Sequence, residues 1–185
     1  SEALARLRKR HDLLEHLAYA PGAGHDAQRR AGAAWLSRTS SYAGVDWRRV
    51  VCCAGAQQGL ALALGTVMRP GQTLLTEAVA YHGLKALALH SGWKIRGLAM
   101  DAEGLRPDAL EEAILATGAR ALAVLPTLQN PTGRIMSLAR REAIAAIARK
   151  HDLTIVEDDI YGAYAPGAPP PFALLAPERT FHVSG

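Results

Sequence analysis

The sequence predicts an α/β domain built on a doubly wound, mostly parallel sheet, and three observations carry that expectation. Short apolar runs alternate with helix-patterned segments of about ten to fourteen residues, the rhythm of strand–helix–strand units. Several runs are apolar at consecutive rather than alternate positions, as strands covered on both faces are. The polar, glycine-bearing stretches follow the carboxyl ends of those runs, where open α/β sheets hold their ligands.

Taken in order, residues 1–45 read as an N-terminal helical segment leading into the main domain. A helix over 1–18 carries Leu4, Leu7, Leu14 and Leu17 near one stripe, Tyr19 to Gly24 (YAPGAG) is a turn-rich break, and 26–37 returns to helix with Ala27, Ala31, Ala34 and Trp35 in register. Residues 46–185 form the regular part. Strands are expected at 49–54 (RVVCCA), 72–77, 93–99, 120–125, 153–157 and 180–184. The helix at 56–69 places Leu60, Leu64, Val67 and Met68 on one face and ends at Pro70-Gly71; another runs over 81–90. Pro107 opens a helix whose positive end suits Asp108, Glu111 and Glu112, and Gly118 stops it. Ser137 is the N-cap expected for 138–150, with Leu138, Ile144 and Ile147 facing inward. The sequence stops at Gly185 directly after a strand, so the sheet is expected to be incomplete.

Composition narrows the function classes. At 185 residues, nearly half of them apolar, the chain is long enough for one domain with a real core. No apolar run approaches a membrane span, so no membrane partner is expected. The net charge of +4 has one local concentration, Arg6, Arg8, Lys9 and Arg10, with no DNA-reading pattern around it. Adjacent Cys52 and Cys53 would point to opposite faces of a strand, which favours core packing over a disulfide and fits a reducing cytoplasm. The histidines lack metal-ligand spacing, so no metal is expected. Gly22-Ala-Gly24 has no strand before it, and neither a P-loop nor a Gly-x-Ser-x-Gly elbow is present.

The candidate site is organised around 153–161, LTIVEDDIY, where a β-branched strand ends in three carboxylates. Burying charge at the mouth of an apolar strand is costly unless a cation meets it. Other strand ends supply compatible groups. Gly55-Ala56-Gln57 is a turn whose backbone N–H groups at a helix N-terminus suit a phosphate. Tyr81 offers a flat ring, Asn130 a neutral amide, Asp158 a carboxylate for a protonated ring nitrogen, and Tyr161 a hydroxyl. Such a set suits a phosphorylated, hydroxylated pyridine. Glu157 and Asp159 read as structural or solvated neighbours.

These residues carry a resemblance. Gly-Ala-Gln-Gln at 55–58, Gln-Asn-Pro-Thr-Gly at 129–133 and Asp158-x-x-Tyr161 stand in the order and spacing of the pyridoxal-phosphate-dependent aminotransferases of fold type I, class I/II. Within them the chain is most similar to the aminotransferase-like domain of MocR-type (GntR-family) transcriptional regulators. The resemblance implies pyridoxal 5'-phosphate as cofactor. It implies Ala56 and Gln57 on the phosphate, Tyr81 on the ring face, Asn130 and Tyr161 on the ring hydroxyl, and Asp158 on the pyridine nitrogen, with Ser184 as a further cofactor contact. Tyr19 matches a position that reaches the neighbouring subunit's phosphate, so a homodimer is implied. The family's Schiff-base lysine would follow shortly after Ser184; Lys9, Lys85, Lys94 and Lys150 do not stand there, and the large domain is expected to be truncated before it. Two functions are therefore expected of the intact protein. One is transfer of an amino group between an amino acid and a 2-oxo acid. The other is cofactor sensing in a regulator that touches DNA through a domain outside this chain.

Overall fold

The computed structural model describes residues 2–12, 14 and 18–185. In chain order the elements are α1 (Glu2–Leu7), α2 (Asp26–Thr39), α3 (Ala56–Val67), β1 (Thr73–Glu77), α4 (His82–His90), β2 (Lys94–Leu98), β3 (Met100–Asp101), β4 (Gly104–Leu105), α5 (Pro107–Thr117), β5 (Ala121–Val124), α6 (Leu138–Lys150), β6 (Thr154–Asp158), α7 (Phe172–Leu175) and β7 (Thr180–Val183). Five strands form one all-parallel sheet in the order β2-β1-β5-β6-β7, and β3 and β4 make a small antiparallel pair.

Both faces of the sheet are covered, which is why its strands are apolar at consecutive positions. Alternate side chains go to opposite sides. Leu75, Leu122, Val124 and Ile155 pack against Leu110 and Ile114 of α5, Ile144 and Ala148 of α6, and Phe172. Leu74, Ala121, Ala123, Val156 and Val183 pack against Leu60 and Leu64 of α3, Met68, Leu84 and Ala88 of α4, and Trp93. The helix boundaries follow their local chemistry. Pro107 stands in the first turn of α5 and Gly118 closes it. The Ser137 hydroxyl accepts the Arg140 N–H at 3.3 Å at the start of α6. Among the described residues no helix is long and apolar enough to cross a membrane.

The five strand expectations from 72 onward hold, but the one at 49–54 does not. That segment is an unpaired stretch with Val51, Cys52 and Cys53 exposed, preceded by a 3₁₀ turn at Trp47–Arg49. Its β-branched composition suits a strand, yet a strand needs a hydrogen-bonded neighbour, and the Cys52 N–H instead donates to the Ala23 carbonyl at 2.9 Å. Both cysteines are free and exposed rather than packed in a core. The N-terminal helix is shorter than expected, and Leu4, Leu7 and Leu14 are exposed; Leu17 lies outside the described residues. Along α2 only Ala33 is buried, and Trp35 is exposed. On α6 the buried positions are Arg141, Ile144, Ala145 and Ala148, Ile147 packs half-buried against the same core, and Leu138 is exposed.

Burial at the sheet's centre has a measurable consequence. Ile155 on β6 is fully buried, whereas Leu89 at the end of α4 is 83% exposed. Ile155→Ala is expected to lower the unfolding free energy by about 2–5 kcal/mol through lost transfer energy and a residual cavity. Leu89→Ala is expected to change it by less than about 0.5 kcal/mol. Urea denaturation of the two variants checks the contrast.

Candidate functional site

The sheet order places the site. From β1 the chain steps outward to β2, then returns across β1 to β5 and proceeds the other way to β6 and β7. The order therefore reverses between β1 and β5, and at such a switch point the loops at the carboxyl ends diverge and leave a crevice. A cleft of about 320 Å³, counting its open mouth, lies there. Its walls include Thr76 and Glu77 of β1, Ala123 and Val124 of β5, Asp158 of β6, Tyr81 and Asn130. Three residues singled out from the sequence, Tyr81, Asn130 and Asp158, are thus brought to one cleft.

Local structure fixes each of them. Tyr81 caps the N-terminus of α4, and its ring lies over Gly83 so closely that a Cβ there would collide with it. The ring also meets His82 edge-on, with centroids 4.8 Å apart. Asn130 is carried by a loop that Gln129 organises. The buried Gln129 donates through Nε2 to the Val79 carbonyl at 2.7 Å, and its Oε1 accepts from the Thr132 N–H at 3.1 Å and hydroxyl at 2.7 Å. Its backbone N–H donates to the Arg134 carbonyl at 2.8 Å. The preceding residue, Leu128, is held at φ 53°, a left-handed conformation that non-glycine residues rarely adopt. The loop after β5 is thereby pinned to the loop after β1.

Beside the cleft, Gly55 at φ 91° turns the chain into α3, and no side chain caps that helix N-terminus. A residue with a Cβ is strained at this φ, so glycine is the fitting choice. The Gln57 side chain donates to the Gly83 carbonyl at 3.2 Å, tying the start of α3 to the start of α4. A Cβ on Gly185 would lie 3.8 Å from the Ala56 nitrogen, so the end of β7 abuts the same turn. The Ser184 hydroxyl donates to the Asp159 carbonyl at 3.3 Å. Tyr161 begins the 3₁₀ turn Gly162–Tyr164, half-buried, and does not line the cleft. Tyr19 is fully exposed and does not line it either.

The three carboxylates at the end of β6 divide by face. Glu157 and Asp159 turn to the α6 side and are 0% and 5% exposed, so neither is the solvated neighbour that the sequence allowed. Glu157 accepts the Phe172 and Ala173 N–H groups at 3.1 and 3.3 Å and meets His182 Nδ1 at 3.2 Å, with Arg141 at 4.0 Å. His182 Nε2 stands 3.6 Å from Asp159. Arg141, fully buried, donates to the Met136, Pro126 and Pro170 carbonyls and to the Thr127 hydroxyl. Burial alone would lower the His182 pKa, but the Glu157 hydrogen bond and the charges of Glu157, Asp159 and Asp158 outweigh it and raise it. Burial pushes Asp159 up to about 6, against the opposing pull of His182.

Asp158 faces the cleft. It makes no ion pair among the described residues, and its one hydrogen bond is accepted from the Ile160 N–H at 3.4 Å. Burial raises its pKa, partly offset by that N–H and by His182. Across the end of β5, Glu77 Oε2 accepts the Leu125 N–H at 3.1 Å, while its buried Oε1 has no hydrogen-bond partner among the described residues. Burial pushes Glu77 up to about 7. The arrangement offers an anion seat at an open helix N-terminus, a flat ring, an amide and two desolvated carboxylates, Glu77 and Asp158, that lack an ion-pair partner among the described residues. Glu77, Arg141 and His182 do not stand out as site residues in the sequence, and Gln129 does so only as part of its motif. The available signal was the need of three consecutive carboxylates for counter-charge.

The profile of the family described as aminotransferase class I and II matches residues 2–185. An uncharacterized HTH-type transcriptional regulator, YjiR of Escherichia coli strain K12, is 32% identical over 72% of this chain and 27% of its own length. An archaeal alanine:glyoxylate aminotransferase superposes with a TM-score of 0.85 at 30% identity, covering 98% of this chain and 46% of that one. LysN, the α-aminoadipate aminotransferase of Thermus thermophilus complexed with N-(5'-phosphopyridoxyl)-L-leucine, does so with a TM-score of 0.84 at 29% identity, covering 99% and 46%. The chain belongs to the aminotransferase class I and II family. It spans about a quarter of that regulator's length and just under half of each of the two structures.

Glu77 supplies a test of the cleft's electrostatics. Its folded pKa of about 7 lies above the ordinary 4.5, so the native state holds the proton more tightly than the unfolded chain. The stability this contributes is full below pH 4.5 and lost as pH rises through about 7. Glu77→Gln removes the titration, and the variant is expected to exceed the parent in stability above pH 7 by up to roughly 3 kcal/mol. The gain should vanish in acid; denaturant unfolding across the pH range measures it.

Proposed function

We propose that this chain is the cofactor-binding large domain of a pyridoxal-phosphate-dependent aminotransferase-type protein, with residues 46–185 forming the domain and 1–45 leading into it. The observation that carries the reading is Asp158, a desolvated carboxylate without a cation, at the wall of a cleft shared with Tyr81 and Asn130. A protonated pyridine nitrogen is the cation that this position suits, since each charge offsets the other's desolvation. The phosphopyridoxyl ligand of the LysN complex supports the same chemistry.

In this reading the backbone of Ala56 and Gln57 at the start of α3 binds the phosphate, where the helix dipole favours an anion. Tyr81 covers one ring face and keeps water from it, and Asn130 and Tyr161 hold the ring hydroxyl. Asp158 keeps the proton on the ring nitrogen, while Ser184 borders the phosphate turn. Bound there, pyridoxal 5'-phosphate supplies an electron sink for chemistry at an amino acid's α-carbon. The reactive lysine is carried by sequence following Gly185. Tyr19 reaches the phosphate of a partner subunit in a homodimer, its full exposure leaving it available to do so. Substrates are an amino acid and a 2-oxo acid, and the compartment is the cytoplasm.

The match to YjiR favours a second reading, in which the same domain senses the cofactor within a transcriptional regulator. The two readings share every site residue. A basic winged-helix domain encoded ahead of Ser1 selects the regulator; its absence selects the enzyme.

Incubating the full-length protein with pyridoxal phosphate and reducing it with borohydride is expected to label a lysine beyond residue 185, read by peptide mass mapping. Labelling at Lys85 or Lys150 instead would sink the assignment. Asp158→Asn should weaken cofactor binding by at least about tenfold, or about 1.4 kcal/mol, in equilibrium titration. An unchanged affinity would remove Asp158 from its proposed role.

A further inference from the structure

The carboxyl end of β6 packs charges on both of its faces, and the two faces are matched differently. Behind the strand, Glu157 meets His182 Nδ1 at 3.2 Å and Arg141 at 4.0 Å, while Asp159 stands 3.6 Å from His182 Nε2. Those are two carboxylates against one permanent cation and one imidazole. The His182 ring is closed in by Tyr42, edge-on with centroids 4.9 Å apart, and its Nε2 is buried without a hydrogen-bond partner among the described residues. In front of the strand, Asp158 has, among the described residues, only the Ile160 N–H as a hydrogen-bond partner. Glu157 pairs in register with His182, and Asp158 with Val183, so the backbone of two adjacent parallel strands sets the separation of the faces.

We propose that His182 is a positioning residue for the cofactor site: lodged as an imidazolium between Glu157 and Asp159, it offsets their charge and keeps Asp158 ionised for an incoming pyridinium to meet. This rests on the cofactor reading given above and deepens it. With the imidazole charged, Arg141 and His182 balance Glu157 and Asp159, and Asp158 is the one surplus charge at the end of β6. With the imidazole neutral or absent, an unbalanced anion remains behind the strand and strengthens the hold of Asp158 on a proton. Protons then compete better with the pyridinium. The charged and titratable groups facing this pair are Glu157 and Asp159 at the end of β6, Arg141 of α6, Tyr42 after α2, and Glu77 of β1 on the cleft side.

His182→Asn is the informative variant, because its amide can keep a donor where Nδ1 meets Glu157 while carrying no charge. The probe is pyridoxine 5'-phosphate, which has the ring, the phosphate and the pyridine nitrogen but no aldehyde to react with a lysine. Its affinity for the full-length protein and for the variant is measured from acid to mildly alkaline pH by quenching of tryptophan fluorescence. The probe's own ionisations are common to both proteins and cancel in the comparison. The acid limb of the variant's profile is expected to move up by at least about half a pH unit, about threefold weaker binding on that limb, with no loss on the alkaline plateau. An equal loss at every pH would reduce His182 to a structural role, and an unmoved profile would show that it has no hold on Asp158. Either outcome overturns the inference while leaving the cofactor reading standing. Failure of the parent protein to bind the probe at any pH overturns both. His182→Gln, with an amide nearer the Nε2 position, gives the same readout if His182→Asn folds poorly.

Discussion

Three consecutive carboxylates end a strand that is otherwise apolar, and the fold depends on how that charge is buried. Side-chain alternation alone cannot solve the problem; it only divides it. The odd-numbered pair turns toward α6, where Arg141 and His182 stand beside the carboxylates and the first N–H groups of α7 donate to Glu157. A buried ion pair of this kind is a weak source of net stability but is costly to break, because either partner left alone is a desolvated charge. The cluster therefore acts as a fastening: α6, α7, β6 and β7 each contribute a group that the others need.

The same geometry links packing to chemistry. Because the sheet reverses its winding between β1 and β5, the loops after those strands part, and the crevice between them is walled by Glu77 on one side and Asp158 on the other. Gln129 spans that crevice, reaching the Val79 carbonyl from the β5 side, so the wall that carries Asn130 is fixed to the wall that leads to Tyr81. Gln57 does the same between α3 and α4. Neither side chain needs to touch a ligand to matter. Each sets the distance between groups that belong to different strands.

Much of this was legible in the residues, and what was not has physical causes. The continuous apolar runs around Leu74, Leu122 and Ile155 could be read as buried strands because both faces of the sheet are covered, and Pro107, Gly118 and Ser137 marked helix ends through backbone chemistry that needs no tertiary context. The run RVVCC looked equally strand-like, but pairing is a property of two segments and cannot be read from one. Arg141 was invisible for a related reason. In an amphipathic helix an arginine ordinarily marks the wet side, and it takes the carbonyls of Pro126, Met136 and Pro170, the Thr127 hydroxyl and the nearby Glu157 to make an inward guanidinium tolerable. Tyr81, Asn130 and Asp158 stood out in the sequence because their chemistry is their own, and the fold brings the three to one cleft. Glu77 and His182 escaped because their significance lies in what surrounds them.

The sheet's two flanks differ in a way that bears on how the chain behaves in solution. The outer strand β2 carries Lys94 and Arg96, cations of the kind that discourage a stranger from pairing with an open edge. The opposite outer strand, β7, reads Thr-Phe-His-Val, with Phe181 exposed and His182 turned inward. Each flank exposes one large apolar side chain, Ile95 on β2 and Phe181 on β7, but only β2 sets permanent charges beside it. A preparation of this chain by itself would concentrate its colloidal behaviour on β7, and solubilising changes belong there rather than on the already charged side of the molecule.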